Sequence, residues 1–141
     1  MRVRGRTCVV TDTDLPTDPP SAAELARLRR KLARAFADVD APRPTTAYAV
    51  GGSATSLQRL VGNVLEREAL GRGLQALVTR PAGEIALRLG LHPERARLLP
   101  AGILLLDAAS RALQAPLQLA GGGLREGIVL EQLARLRAEP V

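Results

Sequence analysis

The chain has 141 residues, 46% of them hydrophobic and 24% charged, a balance that predicts one globular domain and excludes a disordered polymer. Its formal net charge of +6 is carried almost wholly by arginine, with Lys31 the sole lysine, which suits an anionic partner or reflects nothing more than an arginine-rich composition. With Phe36 and Tyr48 its only aromatic residues, it lacks the stacking side chains of a nucleic-acid binder, and no apolar run approaches the roughly 18 residues of a membrane span.

The start, Met1-Arg2-Val3-Arg4, has no apolar segment of the kind that directs secretion, so a cytoplasmic location is expected. Residues 3–11 read as a strand that buries Cys8. As the single cysteine, Cys8 makes neither an internal disulfide nor a zinc knot. Turn-forming residues then crowd positions 12–20; Asp12 and Asp14 resemble a metal-binding pair only superficially and are expected to shape the turn. Ser21 with Glu24 forms a capping-box pattern, and Leu25, Leu28, Leu32, Phe36 and Val39 recur at helical spacing as one buried stripe. Arg27, Arg30, Lys31 and Arg34 fall elsewhere on that wheel, as a solvated face.

After a turn at 42–44, residues 46–50 predict a short strand that passes through Gly51-Gly52 into a helix carrying Leu57, Leu60, Val61, Val64 and Leu65. Gly71 and Gly73 suggest a break, followed by helical stretches at 74–78 and 84–89. Gly90 stands where a helix cap belongs, Pro93 opens a short helical turn, and Pro100 starts a further helix, apolar almost all round and therefore central, with Asp107 and Arg111 as an i,i+4 pair. His92, the only histidine, lies next to Pro93 and reads as a helix cap rather than a catalytic base. Pro116 introduces a strand at 117–120, and Gly121-Gly122-Gly123 leads into a final helix over 124–136 with Leu124, Ile128, Leu130, Leu133 and Leu136 as its apolar positions.

Alternating strands and helices predict an α/β fold, with about three strands against five or six helices, a sheet short by a strand or two. Two of its turns are informative. A glycine turn between a strand and a helix points free amides and a partial positive charge at anions, and lets backbone approach a phosphate closely. Gly51, Gly52, Ser53 and Thr55 form one candidate, with the alternative that they make a tight turn capped by Ser53. For Gly121 to Gly123 close packing of strand on helix is the plainer reading. Arg125 sits in the first turn of its helix, where a cation is disfavoured, so a compensating anion is expected: a bound phosphate, or a carboxylate such as Glu131.

Four segments taken in order resemble the exopolyphosphatase and guanosine pentaphosphate phosphohydrolase family of the actin-like ATPase superfamily. They are Val10-Thr11-Asp12 with Thr17-Asp18-Pro19-Pro20-Ser21, AVGGSATSL at 49–57, PERARLLPAGILLLDA at 93–108, and GGLREG at 122–127. The resemblance implies that residues 1–141 form the second, C-terminal lobe of a two-lobed enzyme, a partial ribonuclease-H-like lobe with a short mixed sheet flanked by helices. It also implies hydrolysis of terminal phosphate from polyphosphate or guanosine pentaphosphate with magnesium. The DxGSxS and DxGGGST phosphate loops and the catalytic glutamate of that family are not encoded here, so the chain is expected to lack the first strands of its lobe, to supply one wall of a cleft and to be inactive alone.

In that frame Gly51, Gly52, Ser53, Thr55 and Arg125 are the phosphate- or nucleotide-binding candidates, no residue is catalytic, and the magnesium ligands lie outside the chain. Arg97 stands where the family usually carries an acidic residue, so neither it nor Arg95 is assigned a ligand. The implied partners are a polyphosphate or guanosine polyphosphate and the missing first lobe. A non-catalytic binding or regulatory module for the same ligands is the alternative, and a sheet edge left unpaired would favour a homodimer.

Overall fold

In the computed structural model, residues 10–40 and 43–138 are described, together with the strand backbones at 2–3 and 6–7. Two two-residue strands, β1 (Arg2–Val3) and β2 (Arg6–Thr7), pair antiparallel with each other. The single strand expected over 3–11 is therefore a small hairpin, separate from the main sheet; Cys8 lies outside the described residues. A 3-10 turn at Asp12–Asp14 follows. Burial works against the charge of Asp14, but the Lys31 ammonium at 2.7 Å and the Thr11 amide at 3.0 Å hold its carboxyl below the ordinary carboxylate value.

Helix α1 (Ala22–Phe36) begins as its sequence demands. The Ser21 hydroxyl accepts from the Glu24 amide at 3.3 Å while the Glu24 carboxylate accepts from the Ser21 amide at 2.6 Å, which satisfies two of the helix's orphan donors. Glu24 also accepts from the Thr17 amide at 3.0 Å and from the Thr17 hydroxyl. These bonds, from Ser21 and then Thr17, lower its pKa to about 2. The preceding segment is thereby tied to the helix start.

Strand β3 (Ala47–Ala49) runs parallel to β5 (Leu117–Leu119), and β4 (Val64–Leu65) pairs antiparallel on the far side of β5, giving the order β3-β5-β4. Among the described residues the three-stranded main sheet and six α-helices match the expected architecture, but β4 was read as the end of a helix. Helix α2 (Gly52–Val61) stops at Gly62, whose φ of 82° suits glycine, and the two residues that remain pair with Gln118 and Leu117.

Helix α3 (Arg67–Val78) runs unbroken through Gly71 and Gly73. Gly73 is there because of packing: a Cβ on it would lie 2.5 Å from Val61 Cγ1 and 3.1 Å from Ile103 Cδ1. Helix α4 (Ala82–Leu89) ends at the left-handed Gly90, as expected. Its start is capped from far away, by Asp18 Oδ1 accepting from the Ala82 amide at 2.8 Å.

Helix α5 (Pro93–Leu113) is one continuous helix with Pro100 inside it. An interior proline removes a hydrogen bond and costs about 3 kcal/mol in an isolated helix. Here α1, α2, α3 and α4 all pack on α5, and the proline is buried by them and the 15–20 segment. Tertiary burial overrides local propensity. Leu28, Leu32, Leu57, Leu70, Leu99 and Ile103 are fully buried around this central helix.

Candidate functional site

Strands β3 and β5 are parallel neighbours, so both leave the sheet at the same end. The Ala120 amide donates to the Ala49 carbonyl at 3.1 Å, which holds the two exits side by side. Residues 51–55 and 121–125 thus open next to each other at the carboxyl end of the strands, where open α/β sheets bind ligands.

The two turns differ in chemistry. Gly51, with φ 107°, is the N-cap of α2, and no side chain caps that helix. Ser53 is therefore not the expected cap; its Cβ lies against Gly102, where an added Cβ would approach to 3.3 Å, so glycine lets α2 and α5 come close. The Thr55 hydroxyl and amide both donate to the Gly51 carbonyl, at 3.1 and 3.0 Å. Gly52 and Ser53 stand exposed in the first turn.

Arg95, from the first turn of α5, lays its guanidinium over Gly52: a Cβ there would be 3.6 Å from Arg95 Nη2. A guanidinium beside an uncapped helix N-terminus concentrates positive charge at one point. Sequence reasoning assigned Arg95 no ligand role, because the packing of α2 on α5, more than forty positions along the chain, brings it to the turn.

At the second turn, helix α6 (Leu124–Ala138) carries Glu126, whose Oε2 would lie 3.2 Å from a Cβ on Gly123. The carboxylate folds back on the N-terminus of its own helix and answers its partial charge. The positive φ of 87° suits glycine at Gly122 and the folded-back carboxylate suits it at Gly123, whereas nothing lies within 4 Å of a Cβ on Gly121, so the expected close packing of strand on helix is not what places that glycine. Arg125 is exposed on the same turn, and the carboxylate expected beside it is engaged elsewhere: Glu131 pairs with Arg135 at 2.5 Å.

Arg97 is structural: its guanidinium donates to the carbonyls of Pro16 at 2.7 Å and Leu15 at 3.4 Å. His92 occupies the N-cap of α5 but its ring makes no capping bond, and its Nδ1 stands 3.9 Å from a Glu94 oxygen. Surface cavities of about 690 Å³, at Glu66, Arg67, Ser110, Arg111 and Gln114, and of about 450 Å³, between α1 and α5, do not include the glycine turns. Gly52, Ser53 and Thr55 are exposed beyond the end of β3, with Gly51 half-buried, and Arg125 is exposed beyond the neighbouring end of β5.

Among the described residues no three His, Cys, Asp or Glu side chains converge as a metal site. Among the described residues, likewise, no helix is long and apolar enough to cross a membrane.

The fold is an open α/β unit whose two strand–glycine–helix turns open side by side at one end of its sheet. More particularly, it has the fold of part of the Ppx/GppA proteins. The crystal structure of the Aquifex aeolicus member of the Ppx/GppA family matches 92% of this chain with a TM-score of 0.79 at 23% identity. A type II variant structure of the Aquifex aeolicus Ppx/GppA phosphatase matches 86% with a TM-score of 0.73 at 24% identity. The chain spans 46% and 45% of those two chains, just under half of each. No protein-family model and no curated protein matches the sequence.

Proposed function

We propose that this chain belongs to the Ppx/GppA phosphatases and is the C-terminal lobe of such an enzyme, supplying one wall of the cleft in which terminal phosphate is released from polyphosphate or guanosine pentaphosphate. The observation that carries the reading is the fold likeness, which spans nearly all of this chain and less than half of the matched structures. The bare sheet agrees with it: Tyr48 and Val50 are 63% and 58% exposed on β3 and just beyond it, and among the described residues β3 pairs only with β5.

In this reading the amides of Gly52 and Ser53 and the guanidinium of Arg95 meet phosphate oxygens, and Arg125 contributes charge from the adjacent strand end. Phosphoanhydride hydrolysis also needs a held water, a base and charge stabilisation on the transferring group, and these come from the complementary lobe. The chain binds and orients; it does not complete the reaction alone. Supplying a first lobe with both phosphate loops in trans should give phosphate release from polyphosphate that falls in the Arg95→Ala and Arg125→Ala variants. Absence of release from a lobe pair shown to associate would overturn the assignment.

A second reading, a binding or regulatory module for the same anions, draws on the charge of +6 and on the Arg95 contact. Calorimetric titration of the chain alone separates the two. Polyphosphate binding without turnover that is lost in Gly52→Val favours the module.

A further inference from the structure

The two glycine turns share one backbone plan. Each follows one of two parallel neighbouring strands, and each helix begins on a glycine N-cap: the Thr55 amide donates to the Gly51 carbonyl at 3.0 Å, and the Gly127 amide to the Gly123 carbonyl at 3.0 Å. The first three helical residues are therefore Gly52, Ser53 and Ala54 in α2, against Leu124, Arg125 and Glu126 in α6. Like backbones carry unlike chemistry.

The third helical position is the one whose side chain can reach back to its own helix start. In α2 it is Ala54, buried and without a polar group, so that N-terminus keeps its amides and gains Arg95 Nη2, 3.6 Å from a Cβ on Gly52. In α6 it is Glu126, whose Oε2 lies 3.2 Å from a Cβ on Gly123, so that N-terminus already faces an anion of its own. The charge of Arg125, exposed on the same turn, is offset by this carboxylate.

A carboxylate one strand away acts on whatever the first turn binds. Neighbouring strands lie about 4.8 Å apart, and the Ala120 amide on the Ala49 carbonyl at 3.1 Å keeps the two exits together. Glu126 thus stands on the order of 10 Å from an anion at Gly52, a distance over which salt leaves part of the repulsion in place. We propose that Glu126 is a specificity-determining residue: its charge keeps the second turn free of phosphate and confines the grip to a single phosphate group at Gly52, Ser53 and Arg95, so that the rest of a polyphosphate leaves the site away from α6. The inference rests on the reading of the first turn as a phosphate-binding wall.

Calorimetric titration of the full chain with pyrophosphate and tripolyphosphate tests it. The parent chain should bind tripolyphosphate little better than pyrophosphate. Glu126→Gln, which keeps the shape and removes the charge, should tighten tripolyphosphate roughly threefold or more and pyrophosphate less, and that gain should shrink as salt is added. Glu126→Asp, which retains the charge, should behave as the parent. Glu131→Gln removes an equal charge more than one turn further along α6, where Glu131 pairs with Arg135, and should leave the chain-length dependence unchanged. Every described side chain from Arg125 to Arg137 is exposed, so none of these changes touches the core. Binding first detectable in Glu126→Gln supports the proposal. The parent's chain-length dependence persisting in Glu126→Gln, or an equal gain in Glu131→Gln, overturns it and leaves the first-turn assignment standing; absence of polyphosphate binding in every form, Glu126→Gln included, overturns that assignment and this inference with it.

Discussion

Replacing Gly73 by alanine tests the packing at the centre of the fold. In a solvent-facing helix the change stabilises by about 1 kcal/mol, since alanine confines the unfolded chain and favours the helix. At Gly73 the added methyl would lie 2.5 Å from Val61 Cγ1 and 3.1 Å from Ile103 Cδ1. Carbon contacts settle near 3.5 to 4.0 Å, so α2 and α3 must part by roughly 1 Å or Val61 must leave its rotamer. Such overpacking costs about 1–3 kcal/mol. Set against the propensity gain, the net is a loss of about 1 kcal/mol.

Equilibrium urea denaturation reads it directly, with Gly71→Ala as reference. Gly71 is exposed with nothing within 4 Å of its Cβ position, so that variant should gain about 1 kcal/mol. Combining Gly73→Ala with Val61→Ala removes the obstructing methyl, and the pair should be more stable than the sum of the single changes by about 1 kcal/mol or more. Equal stabilisation by Gly71→Ala and Gly73→Ala, with no coupling to Val61, would refute the argument and return the helix break to consideration.

Two further outcomes follow from the segment before α1. Glu24 has its pKa lowered from 4.5 to about 2 by Ser21 and Thr17; a depressed folded value means that its contribution is complete above about pH 4.5 and is lost as pH falls through about 2. Acid unfolding followed by circular dichroism should therefore be less steep across that window in Glu24→Gln, and an unchanged profile would remove the carboxylate from the account. Arg97→Ala abolishes donation to the carbonyls of Leu15 and Pro16 and should cost about 1–3 kcal/mol, with faster amide exchange at 15–18; no change in either would mean the strap is held without it.

Local signals were legible wherever the cause is local. The Ser21 and Glu24 capping box, the left-handed Gly90 and the Asp107–Arg111 pair at 2.8 Å each depend on residues a turn apart. The two strand–glycine–helix units were equally readable, because periodicity and glycine both act within a few residues. Of the candidate site, the glycine turn of 51–55 could be found this way. Arg95 could not, since only the packing of α2 on α5 brings it over Gly52.

The same division runs through the errors. Val64 and Leu65 continue a helical pattern in sequence yet become a strand, because β5 offers an unpaired edge just where Gly62 ends the helix. Pro100 and Gly73 look like helix breaks, but burial against neighbouring helices outweighs the local cost of one and requires the missing side chain of the other. The apolar residues of α6 could be named from their spacing, whereas their exposure could not. Periodicity records that a face is apolar; what covers that face is decided by elements distant in the chain, and spacing within one helix carries no information about them.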